Sequence, residues 1–428
     1  MRSGKLSIVA VGCVLFLLGG VGLVADEKEK AAIGPQKPSA EAIHWLEQQK
    51  GKVSPRDTTL LRRSQETLYA NILDGQWRPL RGICPSPFRY RGVWNWDAAF
   101  HALAISHWDT GLAREQIQVF LDRQLPSGGF DDVVWEKEGA VEQFGKPPVL
   151  PWVCAIIDRR RPDDEYLKRV YPQFVANAKF WQRERGGEKE GLFHYGGPIP
   201  NFEAGWDDSV RWDHGCGNLW TIDLNCYMIM AYRSLGYMAD RLSLPGENRR
   251  WLDKAEALGK RVNDTLWSDA EKAYMDRNRA DKKFTGVLTP ASFMPLYVAI
   301  ATRERAAAMH NLAKDPKKFF PGFPSVVYDN PNFKSGAYWR GPAWANISYM
   351  ALAGLKRYGY KETAQACREQ LLAWCQQNQD YLWEYYDSKS GKGCGAPQYG
   401  WTAAFVIELI SNWDSLDLFP PMEKRGRQ

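Results

Sequence analysis

The sequence predicts an all-α protein, an (α/α)6 toroid in which an outer ring of six helices surrounds an inner ring of six. Three observations carry this. Apolar residues recur at three- and four-residue spacing in twelve segments between residues 57 and 412. Alternating runs rich in Val, Ile and Thr are nearly absent. The segments also alternate in character. The even-numbered ones are apolar, while the odd-numbered ones carry charges such as Arg114, Lys168, Arg249 and Lys361, as expected of buried helices inside half-exposed ones.

Taken in order, residues 1–25 read as an export segment. Arg2 and Lys5 precede an apolar run from Leu6 to Val24, with cleavage expected after Ala25. The run is nearly long enough to span a bilayer, so an uncleaved anchor that tethers the chain to a membrane stays open. Residues 26–55 read as a linker with one short helix around Ala40–Gln49. The toroid is expected over 56–415, followed by a tail over 416–428.

Its helices are expected at 57–73, 97–107, 110–124, 149–159, 163–184, 219–243, 246–267, 290–301, 302–314, 343–358, 361–378 and 401–412. Asp109-Thr110, Pro162-Asp163 and Pro245-Gly246 supply start signals. Phe100, Leu103, Ala104 and His107 mark the apolar face of one helix, and Leu167, Val170, Tyr171 and Phe174 that of another.

Composition narrows the function. A chain of 428 residues, 44% hydrophobic, can bury a sizeable core. Its 56 basic residues are dispersed despite a net charge of +6, which argues against nucleic acid as a partner. Beyond residue 25 the cysteines are Cys84, Cys154, Cys216, Cys226, Cys367, Cys375 and Cys394, an odd set without metal-type spacing. Six scattered histidines add no paired ligand motif, so neither a metal nor a cofactor is expected. The sequence is silent on oligomeric state.

The chemistry concentrates in the loops ahead of the even-numbered helices, which in a toroid open at one mouth. Glu203-Ala-Gly-Trp-Asp-Asp-Ser-Val-Arg-Trp-Asp213 gathers four carboxylates, two indoles and Arg211 in one irregular stretch. Aromatic faces beside carboxylates suit sugars, whose C–H faces stack on rings while their hydroxyls bond acids. Hydrolysis of a glycosidic bond needs two carboxyl groups, standing roughly 6.5–9.5 Å apart when the second activates water and the configuration inverts. Asp207, beside Trp206, is the expected general acid. Glu384, between Trp383 and Tyr385-Tyr386, is the expected general base. Glu408, within Phe405-Val-Ile-Glu-Leu-Ile410, reads instead as a bond to a neighbouring helix. Asp97 suits a grip on sugar hydroxyls and equally a helix cap. Arg340 suits a pair with Asp208 or Glu384, or an anionic leaving group.

At these loops the chain resembles glycoside hydrolase family 63 and the related trehalases. Glu203–Asp213 is similar to the family's general-acid segment and places the proton donor at Asp207. Tyr338-Trp-Arg-Gly-Pro-Ala-Trp-Ala-Asn-Ile-Ser-Tyr349 resembles a second family segment. Glu384-Tyr-Tyr-Asp387, with Gly400-Trp-Thr402, resembles the one that carries the base. Trp94-Asn-Trp-Asp97-Ala-Ala-Phe-His101 is similar to the segment that binds the terminal sugar. The resemblance spans about residues 85–410. It implies an inverting α-glycosidase whose substrate is held by Trp94, Trp96, Asp97, Lys146, Trp206, Asp208, Arg211, Trp339, Arg340, Gly341, Trp344, Tyr385, Tyr399 and Trp401.

Ala204, Ser348 and Ala98 depart from the usual residues of these segments, and Trp339-Arg-Gly341 replaces a trehalase-type segment. The short chain looks more like the compact mannosylglycerate and glucosylglycerate hydrolases, for which a cation such as Lys146 or Arg340 is expected near the leaving group. A sugar-binding toroid without activity and a trehalase are the alternatives. A lyase using His214 or Tyr386 is disfavoured.

Overall fold

The computed structural model describes residues 36–137 and 145–414. The expected export segment, residues 26–35 of the linker and the tail over 416–428 lie outside them.

Fifteen helices occur among the described residues. They are α1 (Ala40–Gln49), α2 (Pro55–Ala70), α3 (Asn95–Ile105), α4 (Thr110–Leu121), α5 (Leu150–Arg160), α6 (Asp164–Glu184), the short α7 (Gly187–Glu190) and α8 (Pro200–Ala204), α9 (Ile222–Arg241), α10 (Glu247–Thr265), α11 (Met294–Tyr297), α12 (Arg303–Ala313), α13 (Ala345–Arg357), α14 (Lys361–Gln377) and α15 (Gly400–Ser411). Each of the twelve expected segments has its helix, generally within a few residues. Helices α3, α5, α9, α11, α13 and α15 pack in that order and close on α3, forming the inner ring. Every residue of α3 is buried, as is α15 from Gly400 to Ile410. Outer α10, by contrast, buries only Trp251, Ala255, Leu258, Gly259 and Val262. The protein is therefore an (α/α)6 toroid.

The two rings start their helices differently. Outer helices α2, α4, α6 and α12 carry side-chain caps, which satisfy amides left open in the first turn, while α10 and α14 start at Gly246 and Tyr360 without one. Ser54 accepts from Asp57, Asp109 from Leu112, Asp163 from Tyr166 and Thr302 from Arg305. Inner helices α3, α5, α9, α13 and α15 have none, and three of their N-cap residues are aromatic, Trp94, Trp344 and Tyr399. Here the sequence places site residues where a helix would ordinarily place a cap. Asp97, within the first turn of α3, makes no side-chain cap bond, so its expected capping role is not seen.

Among the described residues, five two-stranded ladders, such as Gly92–Trp94 against Val133–Trp135, tie the loops of the toroid together. At the opposite end, Glu408 receives His107 at 2.8 Å and Arg160 at 3.4 Å. Burial alone would raise its pKa, but Arg160, His107 and Asn412 hold it down at about 2. It braces neighbouring helices, as its setting in the sequence suggests. Helix α1 packs on α2, with the Trp45 ring 5.1 Å from that of Trp108. None of the described helices is long and apolar enough to cross a membrane.

Candidate active site

Glu384 is buried, at 1% exposure, in the loop ahead of α15. Its Oε2 accepts the Ala396 amide at 2.8 Å, and its Oε1 accepts the Tyr90 hydroxyl at 3.3 Å. Burial pushes its pKa up to about 7, against the pull of the Ala396 amide, Arg89 and Tyr90 and with a push from Asp207. A carboxyl poised there can exchange a proton near neutral pH. Its position depends on Gly395, whose φ is +76° and where a Cβ would stand 2.5 Å from Oε2. Gly395→Ala therefore displaces the carboxyl, and kcat is expected to fall about 100-fold while circular dichroism stays unchanged.

Asp207 faces the same mouth from the loop between α8 and α9. Tyr338 donates its hydroxyl to Asp207 Oδ2 at 3.1 Å, and the Asn201 amide fixes the Asp207 carbonyl at 2.6 Å. Burial raises the Asp207 pKa from its ordinary value, although Lys146 and Tyr338 pull it back. Tyr338 is itself strained, with φ +29°, and is held by the Trp344 indole, which donates to its carbonyl at 2.9 Å. A bulky residue at positive φ persists only where its surroundings impose it. Each tyrosine also lies in the field of the other's carboxyl, Tyr90 near Asp207 and Tyr338 near Glu384. Each hydroxyl thus interacts with both acids.

Tyr90 and Tyr338 are absent from the residues that the sequence singles out. Tyr338 opens a segment that stands out for its indoles. Tyr90 sits in Phe88-Arg-Tyr90, just ahead of Trp94, with no nearby carboxylate in sequence to mark it.

Several tryptophans expected to face sugar face one another. Trp206 stacks on Trp339 at 4.9 Å, Trp339 on Trp344 at 3.7 Å, and Trp344 on Tyr385 at 4.5 Å. Trp206 and Trp339 are 1% exposed and Trp344 is fully buried. The stack runs from the sequence neighbour of Asp207 to that of Glu384 and ties their loops together. Trp401 braces it edge-on to Trp344 at 5.4 Å, and its indole donates to the Glu384 carbonyl at 3.2 Å.

Four further expected contacts are committed elsewhere. Arg211, 1% exposed, binds Asp223 through two nitrogens at 2.8 Å and Asp276 at 2.7 Å. Its guanidinium lies between Trp206, at 4.9 Å, and Trp212, at 4.4 Å, behind the acid loop. Arg340 pairs with Asp213 at 2.9 Å and reaches Asp208 only through the backbone carbonyl, also at 2.9 Å. Asp208 uses its carboxylate to accept the Trp339 amide at 2.9 Å. Gly341 packs on the Lys334 carbonyl, which a Cβ would strike at 2.4 Å. Arg340 and Asp208 latch the acid loop to the Tyr338 loop, Arg211 ties it to Asp223 and Asp276, and none of the described contacts turns these groups toward the mouth.

The remaining expected residues do gather around the carboxyls. Asp97 is 2% exposed, and its Oδ1 is buried with no hydrogen-bond partner. Burial raises its pKa well above the usual range; Lys146 opposes this, while Asp132 and Glu384 add to it. Lys146 pairs with Asp132 at 3.3 Å, donates to the Phe202 carbonyl, and stands 6.0 Å from the Trp96 ring. Trp96 meets Trp401 edge-on at 5.5 Å, and Tyr399 lies in the fields of both Glu384 and Asp97. Trp94 is edge-on to Tyr90 at 5.8 Å, and its indole N–H, like that of Trp206, is buried without a partner. Unpaired buried polar atoms at a mouth are what a polyhydroxylated ligand would satisfy.

Residues 90–402 match the family model described as the mannosylglycerate hydrolase MGH1-like glycoside hydrolase domain. The mannosylglycerate hydrolase MGH1 of Selaginella moellendorffii is 25% identical, over 84% of this chain and 88% of that protein. The periplasmic trehalase of Escherichia coli is 30% identical over 52% of this chain and 40% of its own length. The crystal structure of the GH63 mannosylglycerate hydrolase from Thermus thermophilus in complex with Tris and D-glycerate superposes with a TM-score of 0.72 at 22% identity. The match covers 81% of this chain and 99% of that one. The chain belongs to the MGH1-like family of glycoside hydrolases and is a glycosidase.

Proposed function

We propose that this family member is an exported, inverting α-glycosidase acting on an α-mannoside or α-glucoside, with Asp207 as general acid and Glu384 as general base. The observation that carries the proposal is the pairing of two carboxyls in one mouth, each bonded by a tyrosine hydroxyl and each raised in pKa. Protonated Asp207 gives its proton to the leaving oxygen as the glycosidic bond breaks. Glu384 takes a proton from the water that attacks the opposite face of the ring. Asp97, with its unpaired Oδ1, accepts hydroxyls of the sugar being cleaved, and Trp94 and Tyr399 bound that subsite.

Export is supported by Arg2, Lys5 and the apolar run that follows, and by likeness to a periplasmic trehalase. The domain limits 56–415 remain part of the same proposal.

The reading fixes the sign of the pH dependence. A base must be ionised, so kcat/KM falls as the pH drops below about 7. The two carboxyls are coupled, so the limbs of the profile belong to the pair rather than to either residue. Tyr90 donates to the charged form of Glu384 and favours it. Tyr90→Phe should therefore raise the Glu384 pKa and move the acidic limb to higher pH in a pH–rate profile.

The relatives are named for mannosylglycerate, but the two cations expected to hold a glycerate carboxylate are paired with Asp132 and Asp213. The leaving group is therefore best found by trial. Purified protein is incubated with α-mannosides and α-glucosides, including trehalose, mannosylglycerate and glucosylglycerate. Cleavage of at least one is expected. Silence across the panel, with a sugar still shifting the melting temperature, would favour an inactive sugar-binding toroid instead.

A further inference from the structure

The loops ahead of α3 and α15 run side by side and touch at two levels. At depth the Tyr90 hydroxyl meets Glu384 at 3.3 Å. Two residues earlier on the first loop and three earlier on the second, Phe88 meets Tyr381 with ring centroids 5.7 Å apart and planes at 67°. Trp383 extends the row, 6.3 Å from Tyr381 at 86°. Phe88 is 48% exposed, and among the described residues only Ile43 is a comparably exposed large apolar side chain. A phenyl ring held in water gains nothing for folding.

The loop beneath Phe88 is nevertheless fixed. Ser86 Oγ donates to the Pro397 carbonyl at 2.7 Å, and the Pro85 carbonyl accepts the Gly400 amide at 2.7 Å. The row is thus preformed, and it leads from the candidate base at depth to an exposed ring at Phe88.

We propose that Phe88 and Tyr381 form a platform at the rim for a second pyranose ring, outside the buried subsite of the sugar being cleaved, which makes the substrate an α-linked disaccharide or longer saccharide. This rests on the glycosidase reading of the mouth and adds to it the class of the substrate. A pyranose offers a C–H face to stack on an aromatic ring. A three-carbon acid offers almost none, and would turn instead to a cation such as Arg89, whose guanidinium lies 5.5 Å from the Tyr90 ring.

Phe88→Ala and Tyr381→Ala remove ring surface at the rim, and wild type and both variants are assayed in parallel. The substrates are α-linked disaccharides and the methyl, p-nitrophenyl and glycerate α-glycosides of the same sugar. The expected result is a loss in kcat/KM of about 5- to 10-fold on disaccharides, carried by KM, with less than about 2-fold on methyl glycosides. Equal effects on all substrates, or none, would overturn the platform and leave the glycosidase reading standing. Losses confined to p-nitrophenyl or to glycerate glycosides would overturn it in favour of an aryl or an acidic leaving group. A wild type inert on every substrate would instead remove the glycosidase reading on which the platform rests.

Discussion

Asp207→Asn and Glu384→Gln are each expected to lower kcat on an unactivated α-glycoside by about 10²- to 10⁴-fold, the range of general acid–base catalysis. Both substitutions keep the shape of the side chain. In Asp207→Asn the carbonyl oxygen can still accept the Tyr338 hydroxyl, so the loop stays in place while the transferable proton is lost. In Glu384→Gln one face of the amide can still accept from the Ala396 amide, but no oxygen remains that can take a proton from water. The two variants should separate on substrates with different leaving groups. A phenolate of low pKa needs little protonation, so Asp207→Asn should recover much of its activity on an aryl glycoside. Glu384→Gln should not, because water must still be activated. Loss of activity in neither variant, measured by product release, would remove both assignments.

Arg211→Met is expected to destabilise the fold by about 3–5 kcal/mol, the cost of breaking a buried ion pair from one side. Arg211 and Asp223 are each 1% exposed at the side chain and Asp276 is 4% exposed, so the loss leaves two carboxylates uncompensated in the protein interior. Neither acid can easily turn away. Asp276 also accepts the Ile222 amide at 3.0 Å, and Asp223 accepts that of Leu224 at 3.0 Å, both at the start of α9. The guanidinium moreover contacts the rings of both Trp206 and Trp212, so the acid loop loses its backing. Urea unfolding of the variant measures the cost, and Arg211→Met combined with Asp223→Asn should regain part of it. A sugar-contacting arginine would behave otherwise, with stability kept and KM raised.

Much of this architecture is legible in the sequence because a helix announces itself locally. Apolar spacing marks α3, α9 and α15, and Asp109 and Asp163 mark starts that the structure keeps as caps. The segment expected over 290–301 is the exception. It divides into a 3-10 turn, Pro290–Phe293, and the short α11, and ends where Ala299 takes φ +54°. There Asn263 of α10 donates to the Ile300 carbonyl at 2.7 Å, a contact no local pattern signals. The ladders are illegible for a related reason. Gly92–Trp94 and Val133–Trp135 pair over three residues, too few to show alternation.

Within the site, the two carboxyls are legible as acids among aromatics. What each indole faces is not, because that depends on rings from loops far apart in the chain. Trp206, Trp339 and Trp344 carry the composition of a sugar platform and form a buried stack instead. Arg211 reads as a surface grip until Asp276, sixty-five positions away, is seen beside it.

The stereochemistry of the first product tests the central claim most directly. An α-glycoside cleaved by the protein is followed by proton NMR, faster than the released sugar mutarotates. Glu384 acting as a base through water predicts that the β-anomer is released first, with the α-anomer growing in later. Initial release of the α-anomer would mean a covalent glycosyl intermediate, and would contradict the assignment of Glu384 as a base acting through water.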